Sequence, residues 1–192
     1  MFPAGSVLLG KYRVESVLGC GGMGSVFRVL HLQTGETLAL KTMLPGLGVD
    51  PEMKARFLRE SQAASRLRGE HVARVTDSGT LPDGSPYMAM EYLHGVDLAE
   101  YLRRRLLRPS EVVDLILQAC VGLAEAHANQ IVHRDIKPSN LFLTVKPDGS
   151  SLVKILDFGI SKAPIYSHGF EGTRSDLVMG TPAYMSPEQM KA

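Results

Sequence analysis

An α+β chain of two lobes is what the sequence predicts, and three observations predict it. Residues 12–92 run in short strand-like stretches interrupted once by a helical one, the pattern turns helical after Gly95, and the change falls on the short stretch 91–95. The composition suits a packed interior, with 44% of 192 residues hydrophobic and 21% charged, which excludes a disordered or collagen-like chain. Twenty-one Lys+Arg against 20 Asp+Glu leave a net charge of +1, so charge alone gives no ground to expect nucleic acid or an anionic membrane as a partner.

The elements follow in order. Residues 14–18, 25–30 and 37–43 carry β-branched and apolar side chains at strand spacing, separated by glycine-bearing turns, and predict three consecutive antiparallel strands. Asp50 and Pro51 form a cap and first-turn pair for a helix running to Arg68, with Gly69 as its stop. Two further strands are expected at 72–78 and 86–92 around the Pro82-Asp83-Gly84 turn, completing a five-stranded antiparallel sheet. Helices are expected at 97–106 and 110–129, the second so apolar that it should be buried on most sides. Short strands flank the Pro147-Asp148-Gly149-Ser150 turn, and residues 163–181 are Gly-, Ser- and Thr-rich with the character of a long exposed loop.

Cys20 and Cys120 are too few for a disulfide framework, which suits a reducing, cytoplasmic setting. The longest strongly apolar run, 115–124, is half of the roughly 20 residues a membrane span needs. No basic residue precedes the short apolar Val7, Leu8, Leu9, so no secretion signal is expected. Arg103, Arg104 and Arg105 read as a solvated helix face, with a docking patch for acidic partners as the alternative.

Four motifs carry chemistry. Gly19-Cys20-Gly21-Gly22-Met23-Gly24 fits G-x-G-x-x-G, but strand formers follow it, so the glycines belong to a hairpin and a dinucleotide-binding turn is disfavoured. Such a tip either makes a plain turn or lays backbone N–H groups over phosphates. Lys41 lies mid-strand beside Ala39, and Glu60 lies on the apolar stripe Met53, Phe57, Ala64, Leu67 of the first helix. Pairing the two resolves both oddities, the plain alternatives being a snorkelling lysine and an exposed glutamate. His133-Arg134-Asp135-Ile136-Lys137-Pro138-Ser139-Asn140 places an acid, two cations and an amide in one loop. Asp157-Phe158-Gly159 follows 22 residues after Asp135 at a strand end, where its carboxylate could hold a hard cation such as magnesium. The order and spacing of these two motifs make an accidental pair of turn aspartates the weaker reading.

Together these motifs resemble the protein kinases, and within them the bacterial serine/threonine kinases related to the eukaryotic ones. The resemblance runs from Lys11 to Gln189 and includes Ser186-Pro187-Glu188 in family order. It implies a protein-kinase-like bilobal fold, with residues 1–10 an N-terminal extension, 11–93 the N-lobe and hinge, and 94–192 a partial, mainly helical C-lobe. It implies ATP and Mg2+ as cofactors and phosphorylation of Ser/Thr hydroxyls on a protein substrate. Lys41 would hold the α- and β-phosphates and pair with Glu60, Asp135 would accept the substrate proton, and Lys137 would stabilise the transferring phosphoryl. Asn140 and Asp157 would hold magnesium. Gly19, Gly21, Gly22 and Gly24 would cover phosphates; Leu18, Val26, Ala39, Leu93 and Phe142 would sandwich adenine; Met90 is the gatekeeper, Glu91 opens the hinge, and Asp97 contacts ribose. His133 would pack and position the loop. Thr173, or else Ser175, would carry an activating phosphate opposite Arg134, while Thr181 would contact the catalytic loop. A small residue suffices at Cys20, with an oxidation switch as the alternative.

The sequence stops four residues after Glu188, before the further large helices of the family's second lobe. A fragment or truncated kinase domain is therefore expected, with an exposed apolar patch on 110–129 open to another kinase or a regulatory partner. Three readings follow: a Ser/Thr protein kinase, a catalytically weak or inactive ATP-binding module that docks to another protein, and a small-molecule phosphotransferase. The segment 181–188, which resembles a protein-substrate docking segment, disfavours the third.

Overall fold

The computed structural model describes residues 2–21, 24–43, 51–158 and 182–190. The upper lobe is a six-stranded antiparallel sheet in the order β1-β2-β3-β4-β6-β5. Its strands are β1 (Val7–Leu8), β2 (Tyr12–Gly21), β3 (Gly24–His31), β4 (Thr37–Met43), β5 (Val75–Thr80) and β6 (Pro86–Glu91), with helix α1 (Pro51–Ala64) between β4 and β5. Five of these strands are the expected ones. The sixth, β1, pairs Val7 with Arg13 and Leu8 with Tyr12, and two residues are too few to show a strand period in sequence.

Strand alternation sorts the upper lobe into two cores. Phe27, Val29, Leu38, Leu40, Tyr87 and Ala89 point to one face with Tyr12 and Val14. Ala39, Met43, Met88 and Met90 point to the other, where α1 lays down Phe57 and Ala64. The sheet curls until its distant strands meet. From β2 and the residue before it, Tyr12 Oη and Lys11 Nζ donate to Asp77 Oδ2 on β5 at 2.6 and 2.8 Å, and Tyr87 Oη on β6 donates to the same oxygen at 3.0 Å. Burial foremost, then the bond to Asp77, pushes both tyrosine hydroxyls well above their usual range, so each keeps the proton it donates. For Asp77 burial acts upward, but the three donors outweigh it and hold the carboxyl below its usual range.

The lower lobe holds a three-stranded sheet, β7 (Gly95–Asp97), β8 (Leu141–Val145) and β9 (Ser151–Ile155), with helices α2 (Leu98–Arg104) and α3 (Pro109–Ala128). Asp97 caps α2 by accepting from Glu100 N at 2.8 Å. Pro109 opens α3, where Arg108 N donates to Glu111 at 2.9 Å. The core lies between α3 and the sheet, with Leu67, Val72, Leu98, Leu115, Ala119, Leu141, Val153 and Ile155 at its centre.

Three expectations are corrected. Helix α1 ends at Ala64 rather than Arg68, its last turn tightening through Arg66 N to Ala63 O and Leu67 N to Ala64 O. Gly69 is therefore not its stop. Instead Arg68 N and Gly69 N donate to the Glu125 carboxylate of α3 at 2.7–3.0 Å. The strand expected at 72–78 begins only at Val75, because 71–73 pairs downward with β9: Ala73 N donates to Ile155 O at 3.0 Å, and Ile155 N to His71 O at 2.8 Å. Helix α3 is not buried on most sides. Leu115, Ala119, Gly122 and Ala126 form one buried stripe, while Val113, Ile116, Leu117 and Val121 are about half exposed. Among the described residues only one layer packs on α3, and an apolar composition cannot say which of two faces is covered. Gly122 shows how tight the covered face is, since a Cβ there would lie 2.8 Å from His71 O. Asp50, expected to cap α1, lies outside the described residues, as does the expected loop 163–181.

Asp77→Ala should lower the unfolding free energy by about 2–3 kcal/mol, since a charged acceptor shared by three donors is lost. The sign with pH follows from the depressed carboxyl: its contribution is present above the unfolded value and is lost as pH falls through the folded value. Urea unfolding at pH 7 and below pH 4 should therefore show the two proteins converging in acid, and an equal gap at both pH values would contradict the closure.

Candidate active site

The glycine hairpin joins β2 to β3 with Gly19 opposite Val26, Cys20 opposite Ser25 and Gly21 opposite Gly24. Leu18 is the extra residue of a bulge between Val17 and Gly19, and it is exposed, as are Gly19 and Gly21. Gly24 has to be glycine, because a Cβ would stand 2.1 Å from Thr42 O of β4. Gly22 lies outside the described residues. Cys20 is exposed, and its sulfur takes a contact from Ser25 Oγ at 3.6 Å.

The next strands bring the expected side chains onto one face. Val26 pairs with Lys41, and Ala39 pairs with Met90. Cross-strand partners leave a sheet on the same side, so Lys41, Val26, Ala39 and Met90 share the face toward α1. Below them, Phe142 on β8 lies opposite Asp97 of β7 and Lys154 of β9. Leu93 is half-buried at the crossing between the lobes. The Glu91 side chain turns away from this face, accepting from Arg74 N and from Lys154 Nζ, each at 2.7 Å.

The catalytic-loop candidates converge tightly. Asp135 N donates to His133 Nδ1 at 3.2 Å, so the ring proton sits on Nε2, which donates to Leu156 O at 2.8 Å. His133 is 2% exposed and packs on Phe158 with ring centroids 4.9 Å apart, a positioning part as expected. Lys137 Nζ lies 3.1 Å from Asp135 Oδ2, and Asn140 Nδ2 donates to the same oxygen at 3.0 Å and to Asp135 O at 2.8 Å. Leu156 N donates to Asn140 O at 2.9 Å, fastening the loop to the stretch that carries Asp157. Arg134 and Asp157 both adopt the left-handed backbone region, φ 62° and 52°, uncommon for residues with side chains and found where surrounding structure holds them.

Lys41 and Glu60 are not paired. Lys41 Nζ instead meets Asp157 Oδ1 at 2.7 Å, linking the lobes. Glu60 is half-buried, and its Oε2 has no hydrogen-bond partner among the described residues. Desolvation dominates there and pushes its carboxyl up to about 7, against the opposing pull of Arg56, Arg134, Arg59 and, last, Lys41. The physical reason for the correction is charge competition: Asp157 offers the ammonium a partner that helix periodicity could not reveal.

Asn140 spends its amide nitrogen on Asp135, so its oxygen is the atom left to offer a cation, and Asp157 adds a carboxylate. Two hard oxygen donors fit magnesium, which keeps several waters and takes substrate phosphates as its remaining ligands. No group of three or more His, Cys, Asp or Glu side chains that could hold a metal stands together among the described residues. The segment 182–190 lies against the same loop, with Gln189 Nε2 donating to Arg134 O at 2.7 Å. Ser186, hydrogen-bonded to Glu188, holds that carboxyl below its usual range. Gly159, Thr173, Ser175 and Thr181 lie outside the described residues. Sequence reasoning missed Lys154 and Glu125; a lysine in a strand of otherwise apolar residues, Leu152-Val153-Lys154-Ile155, was the available sign for the first.

The family model for the protein kinase domain matches residues 12–192. The chain belongs to the protein kinase family. Among curated relatives, this kinase domain is 41% identical over 189 residues to the serine/threonine-protein kinase pkn3 of Myxococcus xanthus, covering 97% of the chain and 35% of that protein. It is 39% identical to serine/threonine-protein kinase A of Synechocystis, covering 96% and 37%. It is 35% identical to PknB of Mycobacterium tuberculosis, covering 97% and 30%. The kinase domain thus spans about a third of the length of these relatives. The crystal structure of the Mycobacterium tuberculosis PknI kinase domain is similar at TM-score 0.73 and 32% identity, over 84% of this chain and 64% of that one. The α+β bilobal architecture read from sequence is the family's fold, and the family in general uses ATP and Mg2+. No helix among the described residues is long and apolar enough to cross a membrane.

Replacing Glu60 by Gln should raise the melting temperature at pH 8 and leave it unchanged near pH 4. A raised carboxyl gives stability that is complete below the unfolded value near 4.5 and is lost as pH rises through about 7. Thermal unfolding at the two pH values checks this, and an equal shift at both would mean that Glu60 is already partnered.

Proposed function

We propose that the chain is the ATP-dependent catalytic domain of a serine/threonine protein kinase, phosphorylating hydroxyls on protein substrates. The observation that carries this reading is the convergence of Lys137 and Asn140 on one oxygen of Asp135, with Asn140 O bound to Leu156 N just before Asp157. Relatives named as serine/threonine kinases support it across 96–97% of the chain.

The chain's residues divide the work. Asp135 orients the acceptor hydroxyl and takes its proton as that oxygen bonds the γ-phosphorus, while the bond from the γ-phosphorus to the β–γ bridging oxygen breaks and ADP leaves. Lys137 then offsets charge on the phosphoryl oxygens, its ammonium already held beside the base. Lys41 would turn from Asp157 to the nucleotide's phosphates, and Asn140 and Asp157 would hold magnesium. The metal, when bound with ATP, supplies charge neutralisation between the phosphates. Val26, Ala39, Met90, Leu93 and Phe142 line the base site, with Leu18 at its exposed rim, and Asp97 stands near enough to the base floor, beside Phe142, to serve the ribose. The glycines Gly19, Gly21, Gly22 and Gly24 close over the phosphates with backbone N–H groups. Glu60 would take Lys41 in the assembled arrangement, which requires α1 to move. A cytoplasmic location fits the two free cysteines.

A second reading, an ATP-binding module with little transfer activity, is favoured by the open apolar face of α3. Radiolabel transfer from ATP to a generic protein separates the two. The expected result is transfer by the unaltered chain that falls about 10²–10⁴-fold in Asp135→Asn, the scale of a lost general base. Nucleotide-dependent thermal stabilisation without transfer would favour the module, and transfer that survives Asp135→Asn would remove the mechanism.

A further inference from the structure

We propose that Lys154 and Glu91 are positioning residues for the nucleotide's base, their ion pair holding the two walls of the adenine site at a fixed separation; this rests on the nucleotide-binding reading above. Lys154 Nζ meets Glu91 Oε1 at 2.7 Å, with only 12% and 22% of the two side chains exposed. A lysine so covered is uncommon unless it is paired. The same carboxylate oxygen accepts from Arg74 N at 2.7 Å, Glu91 N donates to Arg74 O at 2.9 Å, and Lys154 Nζ reaches Val72 O at 3.4 Å. Glu91 is thus clamped on both its main chain and its side chain.

The pair's place in the fold gives it a task. Glu91 ends β6 immediately after Met90, which is paired with Ala39, so its main chain continues the upper wall. Lys154 is the cross-strand partner of Phe142, the floor residue, and partners in a ladder leave the sheet on the same face. One ion pair therefore ties the wall bearing Ala39 and Met90 to the floor bearing Phe142. Neither charge is hydrogen-bonded to Asp135, Asp157 or Lys41 among the described residues, so the effect falls on the base and not on the phosphates. Removing the cation alone leaves a covered carboxylate with one N–H donor, and the strand end must shift toward water to relieve it.

The test measures binding of adenosine and of ATP to this chain by calorimetry, with and without magnesium. Lys154→Met should weaken adenosine and ATP by the same factor, roughly tenfold, a loss typical of breaking one partly covered charge contact. Lys154→Arg should restore affinity to within about threefold, and adding Glu91→Gln to Lys154→Met should leave the loss the same as in Lys154→Met alone, because coupled residues do not add. Unchanged adenosine affinity in Lys154→Met overturns the proposal. So does weakening confined to magnesium-ATP, or an Arg variant as weak as the Met variant. Should Lys154→Met fail to fold, the Glu91→Gln/Lys154→Met double variant, which leaves no buried charge, takes its place, and wild-type adenosine affinity there is equally fatal. Transfer is scored separately: an inactive chain that still shows the base-side loss refutes the kinase reading and supports this one, whereas a chain binding neither adenosine nor ATP refutes both.

Discussion

Main-chain bonds between Ile155 and residues 71–73 join the segment that follows α1 to the lower sheet before it enters β5 of the upper one. Val72, Val153 and Ile155 are almost wholly buried there, so the bonds sit in a dry setting where breaking them would expose donors and acceptors with no water to take their place. His71 Nδ1 on Val153 O, and Glu125 on the N–H groups of residues 68 and 69, extend the fastening to either side. Everything that meets between the lobes, including Lys41 with Asp157, depends on that shared strand edge.

The upper lobe was legible because its signals are local. Strand period, glycine turns and Pro51 place β2 to β6 and α1 within a few residues, and the loop 133–140 and Asp157 come together as their spacing implies. What sequence could not show was partner choice. Glu60 on an apolar stripe demanded a cation, and Lys41 was the nearest candidate by pattern, yet three arginines and Asp157 compete in space for the two charges. Likewise Val72 and Ala73 lie within the expected strand but pair with Ile155 of the other lobe. Helix α3 shows a third limit, since apolar residues on two faces look alike whether one or both are covered.

Lys41 is paired with Asp157 and not with Glu60. An ammonium held by the carboxylate proposed to serve a metal, and a glutamate whose carboxyl burial pushes up, are two halves of the exchange that the proposed mechanism requires. Moving Lys41 from Asp157 to Glu60 would ionise the glutamate and release the aspartate in one step. Arg134 and Asp157, both in the left-handed region, lie close to that exchange, and bonds from His133 and Asn140 hold the main chain of Leu156 beside Asp157.

The closure at Asp77 has a mechanical meaning of its own. With Lys11, Tyr12 and Tyr87 gathered on one oxygen, the upper sheet behaves as a hoop and not as a ribbon. A hoop resists splaying, so a load applied at the glycine hairpin bends that finger about its bulge at Leu18 and leaves the rest of the ring round.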